Sequence, residues 1–221
     1  MIEQRAYLRD CMAAMAEFPD KFFDLAVVDP PYGIGAANMT AFHAKNALTV
    51  YQKKQWDSAI PSPEYFAELF RVSQQQIVWG GNYFTEHLPP SAKWIVWDKN
   101  QPFGNTFGMH ELAWSSFQTK QAAICRINLM AHQNRVSNNR SLARVMRRIH
   151  PTQKPIALYD WIFANYAKAG QKVLDTHLGS GSSRIAANKA GLDFWGYELD
   201  PDYFAAHEKR YANFVAQLRM F

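Results

Sequence analysis

A mostly apolar run, Phe22-Phe23-Asp24-Leu25-Ala26-Val27-Val28, stops abruptly at Asp29-Pro30-Pro31-Tyr32-Gly33. A run this short, with apolar residues at successive positions, reads as a strand buried on both faces. Neither proline can donate an amide to a sheet ladder, so the chain has to leave the sheet at Asp29. A strand buried on both faces needs helices above and below it, and the rest of the sequence must supply them.

It does so in alternation. Asp10 is placed to cap a short helix through Glu17, and Pro63 to Ser73 carries Tyr65, Phe66, Leu69 and Phe70 at helical spacing. Strands are predicted at 77–79, 94–97 and 111–114, followed by a helix from Ile156 to Ala167. A short strand, Val173-Leu174-Asp175, leads through Gly179-Ser180-Gly181 into a helix from Ser182 to Ala190. Phe194 to Glu198 is a further strand, and Pro201 starts a last helix reaching about Met220, a favourable place for proline. Strands alternating with helices predict an α/β fold with a mostly parallel sheet and helices on both faces. At 221 residues the chain reads as a single domain, with 36–60 and 118–149 as loop insertions.

Charge is concentrated in the second of these insertions. Lys120, Arg126, Arg135, Arg140, Arg144, Arg147 and Arg148 fall between Gln118 and Ile149 with no Asp or Glu among them, so this stretch exceeds the net +5 of the whole chain. A basic segment on a nearly neutral body fits either a polyanion partner or a solvated loop. No apolar run approaches the roughly 20 residues of a membrane helix, and Met1 to Arg5 holds no apolar leader. Two cysteines without a CxxC spacing exclude a cysteine-rich zinc module and agree with a reducing, cytoplasmic setting.

Two predicted strand ends carry unusual loops, and ligands of open α/β sheets bind outside such carboxyl ends. In the first, the prolines stiffen the turn, the Pro30 carbonyl has no sheet partner, Asp29 adds a carboxylate and Tyr32 adds an aromatic face. Two acceptors beside a stacking platform suit a planar ligand bearing an NH2 group, such as the exocyclic amine of adenine or cytosine. Holding both N–H groups would localise a lone pair that is otherwise delocalised into the ring, and would stabilise the positive charge that develops on nitrogen. Such chemistry needs proximity and no metal. In the second, Gly179 and Gly181 permit close backbone approach, and Glu198 ends the next strand 17 residues after Gly181, placed to accept from ribose hydroxyls. That layout serves either NAD or S-adenosylmethionine, and it is not a P-loop.

Together these loops resemble the amino-methyltransferases of DNA, which act on adenine N6 or cytosine N4. Asp29-Pro30-Pro31-Tyr32 matches their catalytic motif and Asp175-Thr176-His177-Leu178-Gly179-Ser180-Gly181-Ser182 their cofactor motif. His150-Pro151-Thr152-Gln153-Lys154-Pro155 resembles a segment that precedes the cofactor strand, and Trp79-Gly80-Gly81-Asn82 and His110-Glu111-Leu112 fit smaller elements. The catalytic motif precedes the cofactor motif, which is the family's β-type order. The resemblance implies a Rossmann-like sheet with one antiparallel strand, S-adenosylmethionine as cofactor, and DNA as partner with the target base flipped out against Tyr32. It leaves room for a homodimer.

By the same resemblance Asp29 and the Pro30 carbonyl hold the amine, with Pro31 and Tyr32 completing the catalytic set. Cofactor contacts fall to Asp29, Thr152, Lys154, Asp175, His177, Gly179, Ser180, Gly181, Ser182, Glu198 and Leu199. The two insertions are the only stretches spare for DNA contacts, which fall to Lys53, Lys54, Arg135, Arg140, Arg144, Arg147 and Arg148, and their small size predicts a short recognition site or relaxed specificity. Asp at the head of the catalytic motif leans to adenine N6, where Ser leans to cytosine N4. His177 stands where the family usually has Phe, and Ser183-Arg184 where small residues are common. Rival readings are an RNA or protein-amide methyltransferase, a nicotinamide oxidoreductase and an inactive DNA-binding protein.

Overall fold

The computed structural model describes residues 2–38, 41–44, 47–50, 54–101, 108–118, 121–128 and 148–218. Its chain order is β1 (Gln4–Leu8), α1 (Cys11–Met15), β2 (Phe23–Val28), β3 (Ala41–Ala44), β4 (Ala47–Val50), α2 (Pro63–Val72), β5 (Ser73–Trp79), β6 (Ile95–Asp98), β7 (His110–Ser115) and β8 (Ala123–Arg126). Then come α3 (Ile156–Tyr166), β9 (Lys172–Asp175), α4 (Ser182–Lys189), β10 (Asp193–Glu198) and α5 (Pro201–Leu218).

Eight strands form one sheet in the order β1-β10-β9-β2-β5-β7-β6-β8. Only β7 runs against its described neighbours, β5 and β6, as the resemblance implies. Period-two alternation divides the core. Leu25, Val27, Ile77 and Trp79 face α3, α4 and α5, whereas Ala26, Val28, Val78 and Leu174 face α1 and α2. In α2 the buried Tyr65, Phe66, Leu69 and Val72 make a single stripe, and Pro63 occupies the first turn, where its missing amide costs nothing. Asp10 caps α1 by accepting from the Ala13 amide at 2.9 Å.

Three features depart from the sequence reading. Strand β1 was not foreseen; it pairs with β10 at the sheet edge, where half-exposed residues give no apolar run. The first insertion is not wholly irregular, because β3 and β4 pair antiparallel as a separate hairpin. Nor is the second a loop throughout. Strand β8 lies within it, parallel to β6, with Cys125 buried and Ile124 and Arg126 turned outward on the last edge. Among the described residues no helix is long and apolar enough to cross a membrane.

Candidate active site

Strand β2 continues through α2 to β5 on one side, while β9 continues through α4 to its neighbour β10 on the other. The two chains diverge from adjacent strands, so a crevice opens between the loops that follow Val28 and Asp175. Two cavities occupy it, of about 350 and about 480 Å³. They share a wall made of Asp29, Pro31, Trp56, Thr152, Gln153 and Lys154.

The proline loop leaves the ladder where expected, the last β2–β5 pair being Val28 with Val78. Asp29 then stands in a dense polar network. Its Oδ1 accepts from Tyr32 Oη at 2.6 Å, and its Oδ2 meets the Lys154 ammonium at 2.6 Å. Lys154 Nζ also lies 3.2 Å from Tyr32 Oη and 3.0 Å from Glu111 Oε2, while Lys99 Nζ lies 2.7 Å from Glu111 Oε1. Burial works against the charge of Glu111, yet the Lys154 and Lys99 cations hold it down to about 2. Burial likewise opposes the Lys154 charge, and Asp29 and Glu111 outweigh it, so its proton is held more tightly than usual. Burial, then Asp29, raises the Tyr32 phenol far above its ordinary value, so it remains a neutral donor.

Tyr32 is clamped as well as bonded. Tyr83 stacks on it at 5.0 Å with 14° between the planes. Behind the ring, Gly80 has φ +69°, and a Cβ built there would lie 2.2 Å from Tyr32 Cε1. Asp57 fixes the far end of the loop by accepting from the Gly33 and Ala36 amides at 2.8 and 2.7 Å.

In the second loop, Glu198 Oε2 accepts from the Gly179 amide at 2.7 Å, and its Oε1 from the Leu199 and Asp200 amides at 3.0 and 2.9 Å. The carboxylate therefore ties the glycine turn to the end of β10. Gly181 caps α4 with φ +70°, and a Cβ there would lie 2.3 Å from the His207 ring.

The sequence profile of the N6/N4 methyltransferases, described as DNA methylase, matches residues 74–209. The chain belongs to the N6/N4 DNA methylase family. The type II methyltransferase M2.MboI of Moraxella bovis is 21% identical over 245 residues, with 96% of this chain and 89% of that protein aligned. Two solved structures share the fold. The M1.HpyAVI complex with S-adenosylmethionine has a TM-score of 0.58 at 17% identity, covering 96% of this chain and 99% of that one. The cytosine-N4-specific PvuII DNA methyltransferase has a TM-score of 0.59 at 15% identity, covering 96% and 91%.

In this DNA methylase the expected catalytic residues Asp29, Pro30, Pro31 and Tyr32 all line the smaller cavity. Of the residues expected at the cofactor, Asp29, Thr152, Lys154, His177, Gly179, Ser180, Ser182, Glu198 and Leu199 line the larger one. Asp175 and Gly181 are not among its lining residues. Asp175 is sealed beneath the loop, accepting from Ser183 Oγ at 2.5 Å and from the His177 amide at 3.1 Å. Burial pushes its carboxyl up to about 7 despite those donors. Gly181 is turned away against His207 because only a residue without a Cβ fits there. His177 is a packed ring, 5.5 Å from Tyr65, and burial pushes it down to about 4, so it is neutral as Phe would be. The unusual Ser183 and Arg184 are anchors: Ser183 holds Asp175, and Arg184 reaches His207 Nε2, Glu208 and the Gln4 carbonyl.

The DNA set fares differently. Lys54 is engaged elsewhere, its ammonium 2.5 Å from Asp200 and 2.6 Å from Asp202 at the mouth of the larger cavity. Arg148 lines the smaller cavity and donates to the Pro151 carbonyl at 2.6 Å. Lys53, Arg135, Arg140, Arg144 and Arg147 lie outside the described residues. The sequence reading gives no site role to Asp10, named there only as a helix cap, or to Cys11, which line the larger cavity, nor to Lys99 or to Glu111, named there only within a smaller family element, which line the smaller. Recognising β1 would have placed Asp10 just beyond a strand end beside Glu198.

Proposed function

We propose that this chain transfers a methyl group from S-adenosylmethionine to N6 of an adenine flipped out of DNA. The observation that carries this reading is the pair of cavities sharing the Asp29–Pro31–Lys154 wall at the sheet's switch point. A donor in one and a base in the other would meet across the catalytic loop, within reach of a proximity-driven transfer.

The larger cavity suits the cofactor in size and in chemistry. Glu198 Oε1 already accepts two amides, but Oε2 accepts one, which leaves a lone pair for a ribose hydroxyl. Leu199, 71% exposed at the rim, offers apolar surface to an adenine ring. Asp10, Asp29 and Glu198 put carboxylates around a ligand that carries a cationic sulfonium and an ammonium. When bound, S-adenosylmethionine supplies the activated methyl group.

The chain's own residues do the rest. Tyr32 presents a ring held by the Asp29 hydrogen bond and by Tyr83, so the base arrives at a fixed platform. Asp29 and the Pro30 carbonyl accept from the amine, which draws the nitrogen lone pair out of conjugation and stabilises the charge growing on it. Flipping costs a few kcal/mol, offset by stacking and by phosphate contacts assigned to Arg135, Arg140, Arg144, Arg147 and Arg148. Adenine is favoured over cytosine by the Asp at the head of the catalytic motif. Cytosine N4 is the second reading, favoured by the shared fold of the PvuII enzyme.

Incubation with unmethylated genomic DNA and cofactor, followed by nucleoside mass spectrometry, tests the proposal. N6-methyladenine is expected. N4-methylcytosine would overturn the choice of base, and cofactor binding without any methylated base would overturn DNA as the substrate.

A further inference from the structure

The catalytic carboxylate is already engaged in this structure. Asp29 Oδ1 holds the Tyr32 hydroxyl and Oδ2 holds the Lys154 ammonium, both at 2.6 Å. Lys154 is 5% exposed, and its positive charge largely cancels that of Asp29. A neutralised carboxylate is a poor partner for an amine on which positive charge is growing. Lys154 must therefore withdraw from Oδ2 when the base amine arrives, and a buried ammonium cannot withdraw into nothing.

A second berth stands beside it. Glu111, on the antiparallel strand β7, places Oε2 3.0 Å from the same nitrogen. That oxygen is buried and, among the described residues, makes no hydrogen bond of good geometry, so it has acceptor capacity to spare. Lys99 fixes the other oxygen of Glu111 at 2.7 Å and keeps the carboxylate in place and ionised. The Trp79 and Tyr32 rings flank the ammonium at 5.3 and 5.6 Å, lining the short path between the two carboxylates. With distances of 2.6 and 3.0 Å, a movement of a few tenths of an ångström makes Glu111 the nearer of the two partners.

We propose that Glu111 is a positioning residue that takes the larger share of the Lys154 ammonium when the target amine engages Asp29, loosening the ammonium's hold on Asp29 Oδ2 for methyl transfer. The inference rests on the methyl-transfer reading above. Before the amine arrives Lys154 closes the carboxylate; once the amine is bound Lys154 leans on Glu111, whose other oxygen stays with Lys99. The exchange follows DNA binding, so it governs turnover and not the affinity for DNA or cofactor.

Glu111→Gln keeps the shape and removes the charge. Its kcat on unmethylated DNA should fall by about tenfold or more, with the KM for DNA and the cofactor Kd within about twofold of wild type. Glu111→Asp should stay within about threefold of wild type in kcat. Adding Lys154→Met to Glu111→Gln should return part of the lost turnover, because the cation that blocks Asp29 is gone. Should Glu111→Gln alone fail to fold, the charge-balanced double variant carries the test, and a folded double variant with no turnover refutes the exchange. Equal kcat for Glu111→Gln and wild type also refutes it, as does a Glu111→Asp as slow as Glu111→Gln, or a parallel loss of cofactor affinity. A wild-type protein that binds cofactor but methylates no base defeats the methyl-transfer reading and the inference with it; an active wild type beside an unaffected Glu111→Gln defeats the inference alone.

Discussion

Gly80→Ala tests whether the position of Tyr32 governs the reaction, without replacing any side chain that meets a ligand. Gly80 sits at φ +69°, and its added Cβ would lie 2.2 Å from Tyr32 Cε1 and 2.6 Å from Cδ1 and Cζ. Ordinary carbon contacts begin near about 3.5 Å, so the ring would have to retreat by about 1.3 Å. It has little room to do so, being bonded to Asp29 at 2.6 Å and stacked on Tyr83 at 5.0 Å. The left-handed backbone adds a cost of about 1–2 kcal/mol for any residue with a Cβ. A misplacement of about 1 Å at a positioning group costs on the order of 100-fold in rate. Gly80→Ala is therefore expected to lose about two orders of magnitude in kcat on unmethylated DNA and about 2 kcal/mol in stability. The cofactor Kd, measured by calorimetry, should be unchanged, because Gly80 is not among the residues lining the larger cavity. A folded Gly80→Ala protein with kcat within about threefold of wild type would show that ring position does not limit the reaction.

Asp29→Ala should abolish turnover while cofactor binding persists, read by single-turnover rates beside calorimetry; retained turnover would remove Asp29 from the chemistry. His207 gives a pH prediction. Burial, with Arg184 beside it, pushes this ring down to about 3, while an unfolded histidine titrates near about 6.5. Between those values the unfolded chain binds the proton and the folded chain does not, so stability is full above about pH 6.5 and is lost as the pH falls. His207→Gln should remove about 2 kcal/mol of the stability difference between pH 7 and pH 5 in urea titrations, and an unaltered difference would count against a buried neutral ring. Replacing Arg144, Arg147 and Arg148 by Ala should flatten the dependence of log affinity on log salt by two to three units, at about 0.9 per phosphate contact. An unchanged slope would take this segment out of the DNA interface.

The interior of the sheet was readable because strands buried on both faces must be apolar at successive positions, as Leu25 to Val28 are. The edges were not. Strand β1, with the sequence Gln-Arg-Ala-Tyr-Leu, and β8, with Ala-Ile-Cys-Arg, carry polar or exposed residues because one side of each faces solvent, and β8 was further masked by the charge around it. In the site, the loop residues were legible because unusual backbone chemistry, two prolines or two glycines, marks itself in the sequence. What could not be read was pairing across space. Lys154 looked like a cofactor contact by position in its motif, but its nitrogen belongs as much to Asp29, 125 residues away, and to Glu111. Asp175 sits at its predicted strand end yet bonds inward to Ser183, a direction that the strand assignment does not fix.

The seam between β2 and β9 carries the whole arrangement. It is short: Leu25 pairs with Val173 and Ala26 with Leu174, Asp24 accepts from the Lys172 amide at 2.8 Å, and Tyr65 Oη lies 2.7 Å from Thr176 Oγ1 above the strand ends. No peptide bond joins one side to the other near the chemistry, so donor and acceptor are brought together by strand pairing and by polar contacts across the crevice. The order in which the chain threads the two halves is then immaterial to the reaction, and a protein with its ends moved to another surface loop would keep the same site. The price is that the seam has no covalent memory. A strand slipped by one residue would turn Asp29 to the opposite face, so side chains as plain as Ala26 and Leu174 guard the alignment of the catalytic loop.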